Sequence, residues 1–160
     1  MALVDFTKKI HKHCKDDLEP GEQVVASTFG QPPGAIRQQV ARGFGGAVGV
    51  LASNALASNR DSDDDNPGDG IMLNIPAGKA VLGLSDRRLL VFGHSSLSGR
   101  PKGLNASIPL DQITSLDAEM GKATGTLVIT FVDGTTTSFD VAKTAGPGAF
   151  ADKFTELTGR

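Results

Sequence analysis

The sequence contains no tryptophan and no tyrosine, and its only large aromatic residues are eight phenylalanines. Proteins that bind single-stranded nucleic acid stack the bases on exposed aromatic side chains. The formal net charge is −2, so the chain also lacks the overall positive charge that attracts a nucleic-acid backbone. Together these absences argue against nucleic acid as a partner.

Cysteine is nearly absent as well, since Cys14 is the single one in the chain. A lone thiol cannot form an internal disulfide, which is consistent with a reducing compartment. The first residues are charged throughout and contain no apolar core of a secretory signal peptide. We therefore expect a cytoplasmic protein, and peripheral association with a membrane stays open.

The sequence also lacks the residue patterns of the common enzyme classes. It has no Gly-x-Ser-x-Gly nucleophile motif. His94 is followed directly by Ser95 and Ser96, and adjacent positions do not make a catalytic triad. The glycines of 43–49 are not followed by the Gly-Lys-Ser/Thr ending of a phosphate-binding loop. We expect a protein that is not an enzyme and has no cofactor.

Two groups of potential metal ligands are incomplete. On a helix, His11 and Cys14 share a side while His13 points away, and no second cluster completes four ligands. The acidic segment 60–70 places aspartates at several positions of a calcium loop, but Met72 stands where a bidentate glutamate is needed. The sequence therefore predicts no metal site.

A β-hairpin is the clearest element of the sequence. Two apolar runs, Ala80–Leu84 and Leu89–Phe92, flank the polar turn Ser85-Asp86-Arg87-Arg88. A second hairpin is predicted around Asp133-Gly134, because both central residues of such a turn favour positive φ. The further predicted strands are Glu22–Phe29, Ile71–Ile75, Ala106–Leu110, Ile113–Glu119, Thr126–Val132 and Thr135–Val141. The stretch Gly93–Asn105 is predicted to be a polar loop.

Helices are predicted at both ends of the chain. Ala2–Leu18 carries one apolar stripe at spacings of three and four residues. The last helix begins near Pro147, and its apolar residues Phe150, Phe154 and Leu157 recur at i, i+4 and i+7. With about seven or eight short strands between them, this order favours a small barrel or sandwich that the last helix closes at one end.

The segment Ala35–Asn59 is rich in glycine and has a helical apolar face. Gly45, Gly49 and Ser53 form a ladder of small residues, and four glycines in a helix cost about 4 kcal/mol relative to alanine. Close approach of another helix can offset this cost. The alternatives are contact with a second copy of the chain, packing on its own N-terminal helix, or contact with a membrane. The uncharged part of this segment is shorter than a membrane-spanning helix, which needs about 20 apolar residues.

Two runs resemble bacterial pleckstrin-homology-like and GRAM-like domains: Val81–Phe92, with its Ser-Asp-Arg-Arg turn, and Ile108-Pro109-Leu110-Asp111-Gln112-Ile113. The resemblance covers roughly 71–157. It implies an α+β fold, a small partly open antiparallel β-barrel with a C-terminal capping helix, to which this chain adds an N-terminal helix and an inserted Gly-rich helix. It also implies binding rather than catalysis, without specifying a ligand. We divide the chain into an N-terminal helix (1–20), a strand joining the sheet (22–30), a Gly-rich helical insertion (34–59), an acidic flexible loop (60–70) and the barrel with its C-terminal helix (71–160).

Four bases are candidate ligand-binding residues: Arg87, Arg88, Arg100 and Lys102. Bases at one open end of such a barrel can hold a phosphorylated headgroup by charge-assisted hydrogen bonds. In the alternative interpretation, the first two cap the hairpin and pair with Asp86 or Asp111.

Two functions follow from these features. The first is a binding or scaffold module that contacts another protein or a second copy of itself through Gly45, Gly49 and Ser53. The second is a peripheral membrane domain that binds anionic phospholipid through its basic loop.

Overall fold

Seven antiparallel strands and two helices form the part of the chain that the computed structural model describes, residues 6–33, 75, 78–122 and 124–160. The elements in chain order are α1 (Phe6–His13), β1 (Val24–Gln31), β2 (Ala80–Ser85), β3 (Arg88–His94), β4 (Pro101–Pro109), β5 (Ile113–Met120), β6 (Thr124–Phe131), β7 (Thr136–Ala142) and α2 (Pro147–Thr158).

The predicted hairpin is confirmed as β2 and β3. Leu82 pairs with Val91 and Leu84 with Leu89 across the two strands. The turn residue Asp86 is tied to the start of β1, since its backbone N–H donates to the Gln23 carbonyl at 3.1 Å. The hairpin therefore forms the centre of one half of the sheet, with β1 on one side and β4 on the other.

The sheet has the strand order β4-β3-β2-β1-β7-β6-β5. The strands β4 and β5 are consecutive in sequence but lie at opposite edges of the sheet. A 3-residue helical turn, Leu110–Gln112, joins β4 to β5. Such a link spans at most about 14 Å, so the sheet must curl until its edges meet at this corner. Within the described residues these edges do not pair, and the expected partly open barrel is confirmed.

The concave side of the curled sheet holds the main core, and α2 covers it. Phe150 and Phe154 of α2 are each 1% exposed and belong to the same apolar cluster as the inner residues of both halves of the sheet. The predicted capping helix is therefore confirmed. Arg160, just past α2, donates from Nη1 to the Ile113 carbonyl at 3.3 Å, which ties the end of the chain to β5.

A second apolar cluster lies on the convex side, beneath α1. Phe6, Ile10 and Cys14 pack there against the outward side chains of the hairpin, together with Val24. All side chains of β2 are consequently buried, although alternate residues face opposite sides of the sheet. The predicted helix Ala2–Leu18 is shorter than expected: α1 ends at His13 and a 3-10 turn follows at Lys15–Asp17.

The predicted loop Gly93–Asn105 was too long. β4 begins at Pro101, which pairs with His94, so only the six residues 95–100 connect the two strands. The polar and Gly-containing start of β4 is compatible with a strand because β4 is an edge strand, where proline and irregular pairing are tolerated. The pairing of β3 with β4 shifts register around Phe92.

Three predicted elements lie outside the described residues. They are the Gly-rich insertion 34–59, the acidic loop 60–70 and the strand Ile71–Ile75 except for its last residue.

Candidate functional site

The register of the sheet separates the four candidate bases into two pairs. Arg88 begins β3 opposite Pro109, whereas Lys102 lies opposite Gly93 near the other end of the same strand. Five residues of strand place these ends roughly 16 Å apart. We call the end with the Asp86-Arg87 turn the turn end and the end with residues 95–100 the loop end. A single ligand contacting all four bases is not compatible with this separation.

At the turn end, the guanidinium of Arg88 is held by a buried carboxylate. Arg88 Nε donates to Glu22 Oε1 at 2.8 Å and Nη2 donates to Oε2 at 2.7 Å. The Glu22 side chain is 0% exposed and that of Arg88 is 15% exposed. Further donations run from Nη1 to Ser107 Oγ at 2.9 Å and from Nη2 to the Asp17 carbonyl at 3.2 Å. This bidentate pair links the segment after α1 to the central hairpin.

Ser85 completes the network from inside the hairpin turn. Its hydroxyl donates to Glu22 Oε1 at 2.7 Å and accepts the backbone N–H groups of Arg87 at 3.1 Å and Arg88 at 3.0 Å. The hydrogen bonds from Arg88, and then those from Ser85 and the Glu19 backbone, outweigh burial and lower the pKa of Glu22 from 4.5 to about 2. The hydrogen bond to Glu22 in turn raises the pKa of Arg88. Arg88 is therefore engaged within the protein.

Arg87 also has acidic neighbours. Its Nη1 lies 3.1 Å from Glu19 Oε2 and its Nε lies 3.9 Å from Asp86 Oδ2. The interpretation that Arg87 and Arg88 cap the hairpin and form ion pairs matches this geometry, with Glu19 and Glu22 as the main partners instead of Asp111. Glu22 was missed from the sequence because 66 residues separate it from Arg88 and no local pattern links them.

At the loop end, α1 lies beside the connection between β3 and β4. Lys9 Nζ donates to the Gly99 carbonyl at 3.3 Å, and the exposed Arg100 and Lys102 follow directly in sequence. Lys12 follows Lys9 by three positions in α1, so the two lysines are neighbours on the surface of the helix. We call Lys9, Lys12, Arg100 and Lys102 the basic surface.

Within the described residues, the cations of the basic surface form no close ion pair with an acid. Across the described ranges of the chain, none of its four cations forms an ion pair within 4.0 Å, whereas Arg87 and Arg88 at the turn end both do. The sequence predicted Arg100 and Lys102 here but not the two lysines. The contribution of α1 was not predictable because the helix is 90 residues from the loop that it contacts.

A fully exposed leucine lies in the middle of the connection at the loop end. Leu97 has a relative exposure of 103%. It belongs to a closed turn, since Gly99 N donates to the Ser95 carbonyl at 2.8 Å and Ser95 N donates to the Arg100 carbonyl at 3.0 Å. Sequence reasoning overlooked this residue because the stretch around it is polar.

His94 is a partly buried histidine next to the same loop. Its ring centroid lies 4.6 Å from that of Phe29, and its buried Nδ1 has no hydrogen-bond partner among the residues described. Burial, and then the positive charges of Lys79 and Lys9, lower the pKa of His94. The ring is therefore mainly neutral at pH 7.

The remaining candidates for binding sites are placed as follows. His11 and His13 are exposed while Cys14 is buried beneath α1. The described residues contain no group of three metal-ligating side chains arranged around a common point. Gly45, Gly49 and Ser53 lie outside the described residues.

The helices of the described segments are too short or too polar to cross a bilayer.

Comparisons with known proteins address the fold. No protein-family model matches the sequence, and no curated protein matches it significantly. Among solved structures, the chain is similar to the crystal structure of a DUF1696 family protein with a pleckstrin-homology domain from Shewanella loihica PV-4, at 9% identity and a TM-score of 0.51. The similarity covers 98% of this chain and 96% of that chain. Together with the strand order and the capping helix, it shows that this chain has a pleckstrin-homology-like fold.

Proposed function

We propose that this protein is a binding module that is not an enzyme and that associates with anionic phospholipid through the basic surface. The contact between Lys9 and Gly99 carries the proposal, because it adds the cations of α1 to those of the loop end. Each lysine or arginine near an anionic membrane contributes about 1 kcal/mol. Four cations then contribute about 4 kcal/mol, which corresponds to roughly a thousandfold preference for an anionic over a neutral surface.

The turn end does not offer an equivalent site. A phosphate approaching Arg88 would compete with the bidentate Glu22 carboxylate, and one approaching Arg87 would meet Glu19. Such acidic neighbours repel an anion. The loop end therefore supports binding of an anionic headgroup better than the turn end does.

Flotation with vesicles tests the proposal. We expect the protein to float with phosphatidylcholine vesicles that contain phosphatidylserine at low salt. It should not float with pure phosphatidylcholine, and binding should weaken at high salt because exposed charges are screened. Replacing both Arg100 and Lys102 by glutamine should reduce binding about thirtyfold, by the same increment per cation.

Arg87→Gln is the matched control, since it removes one exposed cation at the opposite end of the sheet. It should leave flotation unchanged. Failure of the wild-type protein to float with anionic vesicles at low salt would remove the proposal, and an equal loss for the control would place binding elsewhere.

The proposal includes a cytoplasmic location for the protein and a functional similarity to GRAM-like domains. Binding to the inner leaflet fits a cytoplasmic protein, because that leaflet carries the anionic lipids. The resemblance of the hairpin sequence to GRAM-like domains supports the same kind of role, since such domains bind rather than catalyse.

A second candidate function is association with another protein or with a second copy of the chain through Gly45, Gly49 and Ser53. The observation that favours it is the helical cost of these glycines, which close helix packing offsets. Gly49→Leu should lower the mass of the species measured by light scattering. Unchanged mass together with unchanged stability would contradict this function.

A further inference from the structure

The most exposed apolar side chain of the described residues lies at the centre of the loop end. Among the described residues, four large apolar side chains are exposed: Val25 at 37%, Met120 at 48%, Val132 at 57% and Leu97 at 103%. Leu97 alone is completely exposed among the residues that the structure describes. An apolar side chain in this position gives up all the hydrophobic stabilisation that burial supplies, so its exposure is not explained by packing within the fold.

The backbone holds Leu97 in this position. The turn that carries it is closed at both ends by the backbone hydrogen bonds of Ser95 with Gly99 and Arg100. Gly99 has φ +61, a left-handed conformation that favours glycine. Lys9 Nζ then ties the Gly99 carbonyl to α1 at 3.3 Å. The leucine is therefore presented by a braced turn and does not depend on a long loose loop.

Three cations belong to the segment after this apolar tip or contact its turn. Arg100 lies three positions after Leu97, Lys102 follows at the start of β4, and Lys9 contacts the same turn from α1. An apolar group flanked by basic side chains matches the cross-section of a membrane interface, in which anionic headgroups lie outside the acyl chains. Long basic side chains can lie along apolar surface while their charged ends stay at headgroup level.

We infer that the basic surface docks on a lipid bilayer by inserting Leu97 between the headgroups, with Lys9, Arg100 and Lys102 contacting the surrounding phosphates. This inference rests on the proposed function and specifies its partner as a bilayer. A soluble phosphate would use the cations but leave the leucine in water. An acidic protein would need an apolar pocket at the position of the leucine, whereas a bilayer offers apolar surface wherever the loop lands.

A tryptophan introduced in place of Leu97 can test the insertion directly, because the natural chain contains no tryptophan. On addition of phosphatidylcholine–phosphatidylserine vesicles, Leu97→Trp should shift its emission to the blue and be quenched by lipids with brominated acyl chains. Val132→Trp is the matched control. It is also an exposed apolar position, but it lies at the turn end, where Val132 N donates to the Gln112 carbonyl at 3.0 Å. Its emission should not change.

Affinity gives a second measurement. A leucine side chain that leaves water completely changes a partition coefficient by roughly tenfold to a hundredfold, so partial insertion should make Leu97→Ser bind the same vesicles about tenfold more weakly. Val132→Ser should bind as the wild type does. Because position 97 is fully exposed, the substitution leaves both apolar cores intact, and an unchanged far-UV circular dichroism spectrum should verify this.

The outcomes separate the two proposals. If the wild type binds vesicles while the emission of Leu97→Trp neither shifts nor is quenched and Leu97→Ser binds normally, phospholipid binding stands and the insertion is wrong. If the wild type binds no anionic vesicle, both are wrong. A blue shift of the Leu97→Trp emission with inositol hexakisphosphate or with polyglutamate, in the absence of lipid, would also overturn the inference, since it would show burial against a soluble anion or an acidic chain.

Discussion

We expect the buried carboxylate of Glu22 to make a large contribution to the stability of the turn end. Its Oε1 accepts from Ser85 Oγ at 2.7 Å and from Arg88 Nε at 2.8 Å. Its Oε2 accepts from the Glu19 backbone N–H at 2.8 Å and from Arg88 Nη2 at 2.7 Å. Glu22→Gln places an amide NH₂ at one of these two positions. In either orientation that group faces an N–H donor of Arg88, so the substitution removes the charge and also breaks a hydrogen bond with Arg88.

Two estimates of the stability that Glu22→Gln would lose agree. Removing one partner of a buried ion pair costs about 3–5 kcal/mol, and the 15% exposure of Arg88 favours the lower value. Lowering the pKa of Glu22 from 4.5 to about 2 corresponds to about 3 kcal/mol, at about 1.4 kcal/mol per pKa unit. We therefore expect Glu22→Gln to lower the free energy of unfolding by about 3 kcal/mol and the midpoint of thermal unfolding by roughly 6–12 °C.

Urea unfolding followed by far-UV circular dichroism is the suitable assay, because the chain has no tryptophan or tyrosine to report by fluorescence. Glu19→Gln is the matched control. Glu19 is 53% exposed and pairs with Arg87, so its loss should cost less than about 1 kcal/mol. Replacing both Glu22 by leucine and Arg88 by methionine should recover much of the stability. A loss for Glu22→Gln no larger than that of the control would refute this reasoning.

Three further predictions concern stability. The contribution of Glu22 to the free energy of unfolding is fully present above about pH 4.5 and is lost as the pH falls towards 2, because the pKa of Glu22 is depressed in the folded state. Urea titrations at several pH values should therefore show that the free energy of unfolding falls less on acidification for Glu22→Gln than for the wild type. Gly30→Ala should cost about 2 kcal/mol, since the added Cβ would lie 2.8 Å from the buried ring of Phe139. Gly148→Ala adds a Cβ in open space, so calorimetry should find it neutral or stabilising. Ile10→Ala should cost about 3 kcal/mol in the same measurement, because Ile10 is fully buried between α1 and the sheet.

Local patterns allowed much of the fold to be predicted. The hairpin around Asp133-Gly134 is confirmed, with Leu127 paired with Phe139. The expected turn type is wrong, because Gly134 has φ +84 while Asp133 does not have a positive φ. The turn chemistry and the alternation of apolar residues each involve only neighbouring positions, so they can be read without knowing the tertiary structure. The stripe of Phe150 and Phe154 likewise predicted a helix that faces the core.

Features that depend on distant contacts could not be predicted in this way. Glu22 was included in a predicted strand, yet β1 begins at Val24 and Glu22 serves the ion pair with Arg88 instead. The sequence did not show that Arg87 and Arg88 lie at the opposite end of the sheet from Arg100 and Lys102, because only the strand register places each base. Register is set by the burial of whole strands, so it is not visible at single positions.

The double covering of the β2–β3 hairpin has a consequence for the dynamics of the molecule. α1 shields one face of the hairpin and the barrel interior shields the other, while β1 and β4 occupy both of its edges. A local fluctuation therefore cannot bring water to the amide hydrogens of Leu82 or Val91 without first displacing a neighbouring element. Exchange of these amides with deuterium should proceed only through global unfolding, and its rate should report the stability of the entire domain.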